Sequence, residues 1–161
     1  MRTIIVGCGR VGAGLASRLV REGDEVTVID IRTEAFERLD EDFPGQAVRA
    51  DGTDEDALRR AGADGADRFF ALTEGDNRNI LAAQLASERF DIKTVVAKIN
   101  DPVRAEAYSS LGLATICRTS IMTEALGGFL GLGYYKSVMK VQAPTGHHDH
   151  GEQLAATATE D

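Results

Sequence analysis

The chain has 161 residues, of which 43% are hydrophobic and 27% charged, and its formal net charge is −8. These values are ordinary for a globular domain with one core, and the acidic balance argues against broad binding to nucleic-acid phosphates. No apolar run approaches the roughly 18 residues that span a membrane, and we expect no signal peptide because a strand-like run begins almost at Met1.

Short runs of β-branched and other apolar residues alternate with helical segments along the first 130 residues. The runs predict strands, and the segments between them show helical spacing of apolar residues or carry helix caps. The predicted strands are residues 3–6, 25–30, 47–50, 68–72, 94–99 and 114–117. The predicted helices are residues 10–22, 33–42, 54–61, 76 or 77–89, one that starts after residue 101, and 121–130.

Polar side chains mark several of these helix starts. Thr53 is the candidate cap of the helix after the third strand, with Asp56 at the acidic position of a capping box. Asp101 is the predicted cap of a later helix because a proline follows it. Thr119 or Ser120 is the candidate cap of the last helix. The apolar faces of the two longest helices are assigned to Val11, Leu15, Leu19 and Val20, and to Ile80, Leu81, Leu85 and Ala86.

Strands that alternate with helices, without hairpin turns, indicate a parallel sheet covered on both faces. Six such strands fit a doubly wound, Rossmann-like α/β fold. We assign residues 1–132 to this domain, residues 133–142 to an arm or interface segment, and residues 143–161 to a disordered polar tail.

A glycine-rich turn follows the first strand and opens a helix. Gly7 permits the tight turn, Gly9 lets phosphate oxygens approach the backbone, and Gly12 lets the helix pack closely on the strands. The helix N-terminus then presents N–H groups and its dipole to a phosphate. Asp30 ends the second strand about 20 residues further on, where a carboxylate binds ribose hydroxyls and repels a 2′-phosphate. The unit predicts an adenine-nucleotide site that disfavours NADP.

Other polar residues at strand ends are candidates for the same site, each with a plainer alternative. Arg10 either neutralises a terminal phosphate or is solvated, and Asp51 either contacts adenine or caps its own turn. Thr73 is placed to bond phosphate or ribose, Asn77 joins it or caps a helix, and Lys98 faces phosphate or solvent. The candidate nucleotide-binding set is Gly7, Gly9, Arg10, Val11, Gly12, Asp30, Ile31, Arg32, Asp51, Gly52, Thr53, Leu72, Thr73, Asn77 and Lys98.

Cysteines and histidines add no predicted chemistry. Cys8 and Cys117 fit neither a metal-ligand nor a CxxC pattern, and we expect both to be small buried residues in a reduced setting, with a redox role for Cys8 as the alternative. The three histidines all fall in the polar tail, where we expect only adventitious metal binding.

Together these motifs resemble the N-terminal domain of the potassium-transport regulators, the TrkA-N or RCK (KTN) family. The resemblance rests on GCGRVG, VIDIR, ADGTDEDALRRAG, ALTEGDNRNI and AKINDP, and it covers about residues 1–130. It implies a cytoplasmic regulatory subunit that binds NAD(H) or ATP/ADP and is peripheral to the membrane through a K⁺ transporter or channel. It also implies a C-terminal helix that crosses to a partner in a homodimer or higher ring.

The resemblance also implies roles for single residues. Arg10 would meet a terminal phosphate, Asp51 would lie by the adenine, and Lys98 keeps a positive charge where the family often has arginine. We predict no metal site, with Glu124 as a possible ligand, because Thr119 and Ser120 replace the family's proline–glutamate pair. The implied partner contacts are Leu126, Phe129, Leu130, Leu132, Tyr134 and Tyr135.

Three functional hypotheses follow. The favoured one is a regulatory nucleotide-binding module, since no His, Lys or Tyr stands where the acid of a hydride transfer would be. The alternatives are an NAD-dependent oxidoreductase or a fragment of one, and a dimerisation module that binds no ligand. The motifs fit NAD(H) and ATP/ADP equally, because both ligands contain the adenosine diphosphate that the turn and Asp30 recognise.

Overall fold

The computed structural model describes residues 1–132. Six strands of this part of the chain form one sheet, and every neighbouring pair is parallel. The sheet order β3-β2-β1-β4-β5-β6 confirms the doubly wound fold and places the switch point between β1 and β4. The strands are β1 (Arg2–Val6), β2 (Glu25–Asp30), β3 (Gln46–Arg49), β4 (Arg68–Ala71), β5 (Thr94–Lys98) and β6 (Ala114–Ile116).

Within residues 1–132, five α-helices connect or follow these strands. The segment predicted as a helix at residues 33–42 is instead a 3₁₀ helix, Thr33–Arg38. No helix within residues 1–132 combines the length and apolarity needed to cross a membrane. The predicted arm (133–142) and tail (143–161) lie outside the described residues. The helices are α1 (Arg10–Arg21), α2 (Glu55–Arg60), α3 (Asp76–Glu88), α4 (Pro102–Ser110) and α5 (Arg118–Phe129).

The core lies on both faces of the sheet, with α1 on one face and α2 and α3 on the other. The predicted apolar faces are partly wrong, because Val11 and Leu81 are exposed. Small residues approach the strands closely and bring the helix backbone near the sheet, while Ile80 is the one large apolar side chain of the two predicted faces that is fully in the core. The small residues buried by α1 and α3 are Gly12, Ala13, Ala16, Ala82, Ala83 and Ala86.

The predicted cap of α4 is confirmed and that of α2 is wrong, each because of local hydrogen bonds. Asp101 caps α4 as predicted, since its carboxylate accepts from the amides of Val103 at 2.9 Å and Arg104 at 3.2 Å. The prediction for α2 is wrong, because Asp54, not Thr53, accepts from the Ala57 amide at 3.0 Å. The amide and hydroxyl of Thr53 are both bonded to Asp51, so the helix starts one residue later and Asp56 takes no part in a capping box.

The prediction for the cap of α5 is also wrong. Cys117 precedes the helix, and its sulfur accepts from the Ser120 amide at 3.5 Å. The Thr119 hydroxyl instead donates to the carbonyl of Asn100 at 2.7 Å. Helix α5 therefore begins at Arg118 and is tied to the loop after β5.

Asn79 fixes the loop between β4 and α3. Its side chain is fully buried, and its Oδ1 accepts from the amide of Thr73 at 2.8 Å and from the Thr73 hydroxyl at 2.6 Å. Its Nδ2 donates to the carbonyls of Thr73 at 2.9 Å and Lys98 at 2.8 Å. One amide group thus holds the carboxyl ends of β4 and β5 together.

Asp76, at the start of α3, holds the next loop in the same way. Its Oδ1 accepts from the backbone amide and the side-chain amide of Asn100 at 2.9 and 3.0 Å, and its Oδ2 from the amide of Asp101 at 3.1 Å. Burial alone would raise the pKa of Asp76, but these hydrogen bonds leave it below its ordinary value.

Replacing Asn79 tests this tether. Asn79→Ala leaves the buried backbone groups of Thr73 without partners, so we expect the free energy of unfolding in urea to fall by about 2–4 kcal/mol. Asn77→Ala is the matched control, since the Asn77 side chain is exposed and its single hydrogen bond to a described residue is with the Arg104 guanidinium, at 2.7 Å. This variant should cost less than about 0.5 kcal/mol. Equal losses in the two variants would contradict the assignment.

The lowered pKa of Asp76 predicts a pH-dependent effect of Asp76→Asn. At pH 7 the variant should melt at a lower temperature than the wild type, because the carboxylate is the better acceptor. That contribution is present above the unfolded pKa of about 4 and is lost as the pH falls through the lower pKa of the folded state. The two melting temperatures should therefore converge as the pH falls below the lowered pKa of Asp76. Asp42→Asn, at an exposed site, should match the wild type throughout. A gap independent of pH would refute this account.

Candidate functional site

A cavity of about 350 Å³ opens at the carboxyl edge of the sheet, around the switch point. This is the place where doubly wound sheets bind their ligands. The predicted residues that line it are Gly7, Gly9, Asp30, Ile31, Arg32, Asp51, Gly52, Leu72 and Thr73.

The glycine turn forms the floor of the cavity. Gly7 has a φ of +106°, and a Cβ there would lie 2.8 Å from the backbone of Leu72 and Thr73. A Cβ on Gly12 would lie 2.0 Å from the Gly7 carbonyl oxygen. These two glycines are explained by packing within the protein itself.

Gly9 differs from its two neighbours in the turn. Its φ and ψ of −81° and −174° are open to any residue, and an added Cβ would meet no described atom within 4 Å. Gly9 is also the N-cap of α1, without a side-chain cap. The first N–H groups of a 12-residue helix are therefore uncapped beside the cavity, where an anion is stabilised.

Asp30 joins the turn to β2. Its Oδ2 accepts from the amide of Cys8 at 2.9 Å, and its Oδ1 accepts from the amide of Arg32 at 2.9 Å. A carboxylate has about four acceptor positions, so both oxygens keep capacity for ribose hydroxyls. Asp30 therefore shapes the turn as well as lining the cavity.

Asp51 and Gly52 cross above the end of β1. A Cβ on Gly52 would lie 2.2 Å from Cγ1 of Val6. Oδ1 of Asp51 accepts from the amide of Thr53 at 2.9 Å and from its hydroxyl at 2.7 Å, and these bonds lower the pKa of Asp51. Asp51 thus caps its own turn, while its Oδ2 has no bond to any described residue.

The remaining predicted residues lie outside the cavity lining. Arg10 and Val11 are exposed on the first turn of α1, Gly12 is buried beneath them, and Asn77 is exposed on α3. Thr53 is turned toward Asp51. Lys98 is buried, and its Nζ lies 3.4 Å from Oε1 of Glu74, which excludes the alternative of a solvated lysine.

The cavity is also lined by residues that the sequence analysis did not select. The apolar ones are among the last two residues of a strand or follow it directly, a signal that was available from the strand predictions. The charged ones, Glu74 and Arg78, lie in and after a loop whose path the sequence does not reveal. The full set that was missed is Val6, Ile29, Ala50, Glu74 and Arg78.

The two cysteines differ in environment. Cys8 is fully buried, and burial followed by the charge of Asp30 raises the pKa of its thiol. Such a thiol stays protonated and unreactive. Cys117 is only partly buried, so the expectation of two buried cysteines is right for Cys8 alone.

Glu124, the possible metal ligand, lies on α5 away from the cavity lining. Its Oε2 and Oδ1 of Asn100 are buried oxygens without a hydrogen-bond donor among residues 1–132. That stretch holds no group of three or more His, Cys, Asp or Glu side chains arranged to bind a metal.

A second cavity, of about 610 Å³, lies at the opposite edge of the sheet. Asp24, one of two acidic residues that line it, is already paired with the amino group of Met1 at 3.0 Å and with Arg68 at 2.9 Å. None of the predicted site residues lines it. The smaller cavity is the candidate site because the uncapped helix start and the glycine turn open into it.

Known proteins are similar to this chain in sequence and in fold. A Trk system potassium uptake protein TrkA from Streptomyces coelicolor is 47% identical over 116 residues, which are 72% of this chain and 52% of that protein. The chain therefore spans about half the length of this relative.

Two solved structures show the same fold at lower identity. Shewanella denitrificans Kef CTD in its AMP-bound form is 23% identical with a TM-score of 0.69, over 83% of this chain and 82% of that one. GsuK bound to ADP is 24% identical with a TM-score of 0.69, over 80% of this chain and 33% of that one.

A match to a protein-family model agrees with these similarities. The model of the TrkA-N domain matches residues 3–119, a span that includes the glycine turn, the cavity lining and all six strands except the first residue of β1. The resemblance inferred from the sequence is thereby confirmed, and the chain belongs to the TrkA-N (RCK) family.

Proposed function

We propose that this chain is the nucleotide-binding regulatory domain of a Trk-type potassium uptake system or channel. It binds NAD(H) or ATP/ADP as a signal, and the bound state biases a membrane transporter. Family membership favours this function over that of an oxidoreductase. The domain acts in the cytoplasm and reaches the membrane through its transporter partner, without contacting nucleic acid.

Gly9 is the observation that carries the proposal. Neither its backbone conformation nor any described neighbour requires a glycine there. Gly9 lines the cavity at the uncapped start of α1, where a phosphate oxygen would approach the backbone amides. The Shewanella and GsuK structures, which hold AMP and ADP, support an adenine nucleotide as the ligand.

The other predicted site residues are assigned by their position. Asp30 takes the ribose, Asp51 presents its unbonded Oδ2 to the adenine, and Thr73 lies near the phosphates. Arg10, exposed at the mouth of the turn, reaches a terminal phosphate, and Lys98 lies further along the same edge. A carboxylate at residue 30 repels a 2′-phosphate, so NADP(H) binds more weakly than NAD(H).

A series of hydrogen bonds supports coupling from this cavity to α5. Asn79 joins the Thr73 loop to the end of β5. Asp76 joins α3 to Asn100, and the Asn100 carbonyl accepts from the hydroxyl of Thr119 on α5. Contiguity of this kind gives the proposed coupling a physical route from the cavity to α5.

Helix α5 supports a homodimer as the minimal assembly. It buries none of its own residues, and Phe129 is 90% exposed. A contiguous exposed apolar surface of this kind marks association. The apolar side chains that a second copy would cover are Met122, Leu126, Phe129, Leu130 and Leu132.

A pair of glycine substitutions tests nucleotide binding. Gly9→Ala should fold like the wild type but bind ADP, ATP or NADH at least about tenfold more weakly, or about 1.4 kcal/mol, because its methyl group occupies the phosphate position. Gly14→Ala is the control, since it lies on α1 with nothing within 4 Å of its Cβ and should leave affinity unchanged. Titration calorimetry on the full chain measures both, together with the weaker binding of NADPH. A wild type that binds no adenine nucleotide at millimolar concentration would refute the proposal.

Charged substitutions test the dimer. Phe129→Asp should convert a dimer into a monomer in sedimentation equilibrium, because a buried unpaired carboxylate opposes association. Val103→Asp, on the exposed side of α4, should leave the mass unchanged. A monomeric wild type, or a loss of mass in the Val103 variant alone, would show that α5 is not the interface.

A further inference from the structure

Lys98 is a buried charge with an incomplete set of partners. Its side chain is only 6% exposed, and Oε1 of Glu74 at 3.4 Å is the single acceptor that the described residues offer to its ammonium group. An ammonium has three donors, and hydrogen bonds to oxygen are normally about 2.7–3.2 Å long. Because a buried charge requires close pairing, Lys98 is suited to a further or stronger anion.

The order of the strands shows where that anion would come from. At the carboxyl edge, Asp51 follows β3, Asp30 ends β2, Gly7 follows β1, Thr73 follows β4 and Lys98 ends β5. A nucleotide with its adenosine near β3 and β2 places its first phosphates at the glycine turn. Its distal phosphates then extend toward β4 and β5, the side on which Lys98 lies.

Glu74 stands between the cavity and Lys98. It lines the cavity, whereas Lys98 does not, and its side chain is 75% exposed. An exposed side chain can leave its partner at little cost, because water solvates its carboxylate elsewhere. The burial of Lys98, in contrast, holds the ammonium close to its present place.

We propose that Glu74 is an internal anion that occupies Lys98 until a distal phosphate of the bound nucleotide displaces it. The inference rests on the proposed nucleotide site, and it identifies the number of phosphates as the ligand feature that this end of the site distinguishes. A phosphate chain carries more charge than a carboxylate and offers more acceptors, so a ligand long enough to reach Lys98 takes the place of Glu74. Shorter ligands leave the Glu74–Lys98 pair intact.

Competition of this kind makes the cost of binding depend on phosphate number. ATP must displace the Glu74 carboxylate and bind beside its charge. ADP comes near this carboxylate with one phosphate, and AMP does not reach it. Removing the charge at residue 74 therefore benefits ATP most. A general effect of net charge also grows with the charge of the ligand, so the same neutralisation at a distant exposed residue is needed to separate it from this competition.

Glu74→Gln in the full chain tests the proposal by titration calorimetry with AMP, ADP and ATP at one ionic strength. We expect ATP to bind about five- to tenfold more tightly, a typical size for one charge pair, ADP to gain less, and AMP to stay within about twofold. Glu34→Gln is the matched control, because it removes the same charge from an exposed residue outside the cavity lining. It should leave all three affinities within about twofold of the wild type.

A second substitution assigns the effect to Lys98. In a Lys98→Met background, checked for folding by its melting curve, Glu74→Gln should no longer favour ATP over AMP. Equal tightening of all three nucleotides, or binding of NADH alone, would overturn this inference and leave the nucleotide site standing. A wild type that binds none of these ligands would overturn the proposed function and this inference with it.

Discussion

The close approach of α1 to the end of β1 is the constraint on which the site depends. A Cβ on Gly12 would lie 2.0 Å from the carbonyl oxygen of Gly7. The helix can therefore begin directly after the turn only if residue 12 is a glycine. Asp30 holds the turn from the other side through the amide of Cys8. The start of α1, with its uncapped N–H groups, is thereby fixed beside the cavity before any ligand arrives.

The sheet order extends this local constraint to the whole carboxyl edge. Residues from five strand ends are brought into one row, although Gly7 and Lys98 are far apart in sequence. Asn79 then locks β4 to β5 with four hydrogen bonds from one buried side chain. A polar residue is used here where an apolar one would leave the Thr73 backbone unsatisfied.

Much of the fold was predictable because strand and helix periods, together with the glycine turn, are local signals. The turn and Asp30 were predictable for the same reason. The cap of α2 was not, because Thr53 and Asp54 are both good caps in sequence, and only the bond to Asp51 decides between them. The Glu74–Lys98 pair was hidden because it joins two strand ends through space and has no fixed spacing.

A sensor needs more than a site, since a ligand shifts an equilibrium only by its difference in affinity for two states. The central strands β1, β2 and β4 and one face of α1 are buried in the core. Helix α5, which buries none of its residues, is the element whose position its own domain fixes least. The regulatory hypothesis therefore requires that the nucleotide change how α5 is held at Thr119 and Asn100, where the hydrogen bonds that begin at the cavity meet the helix.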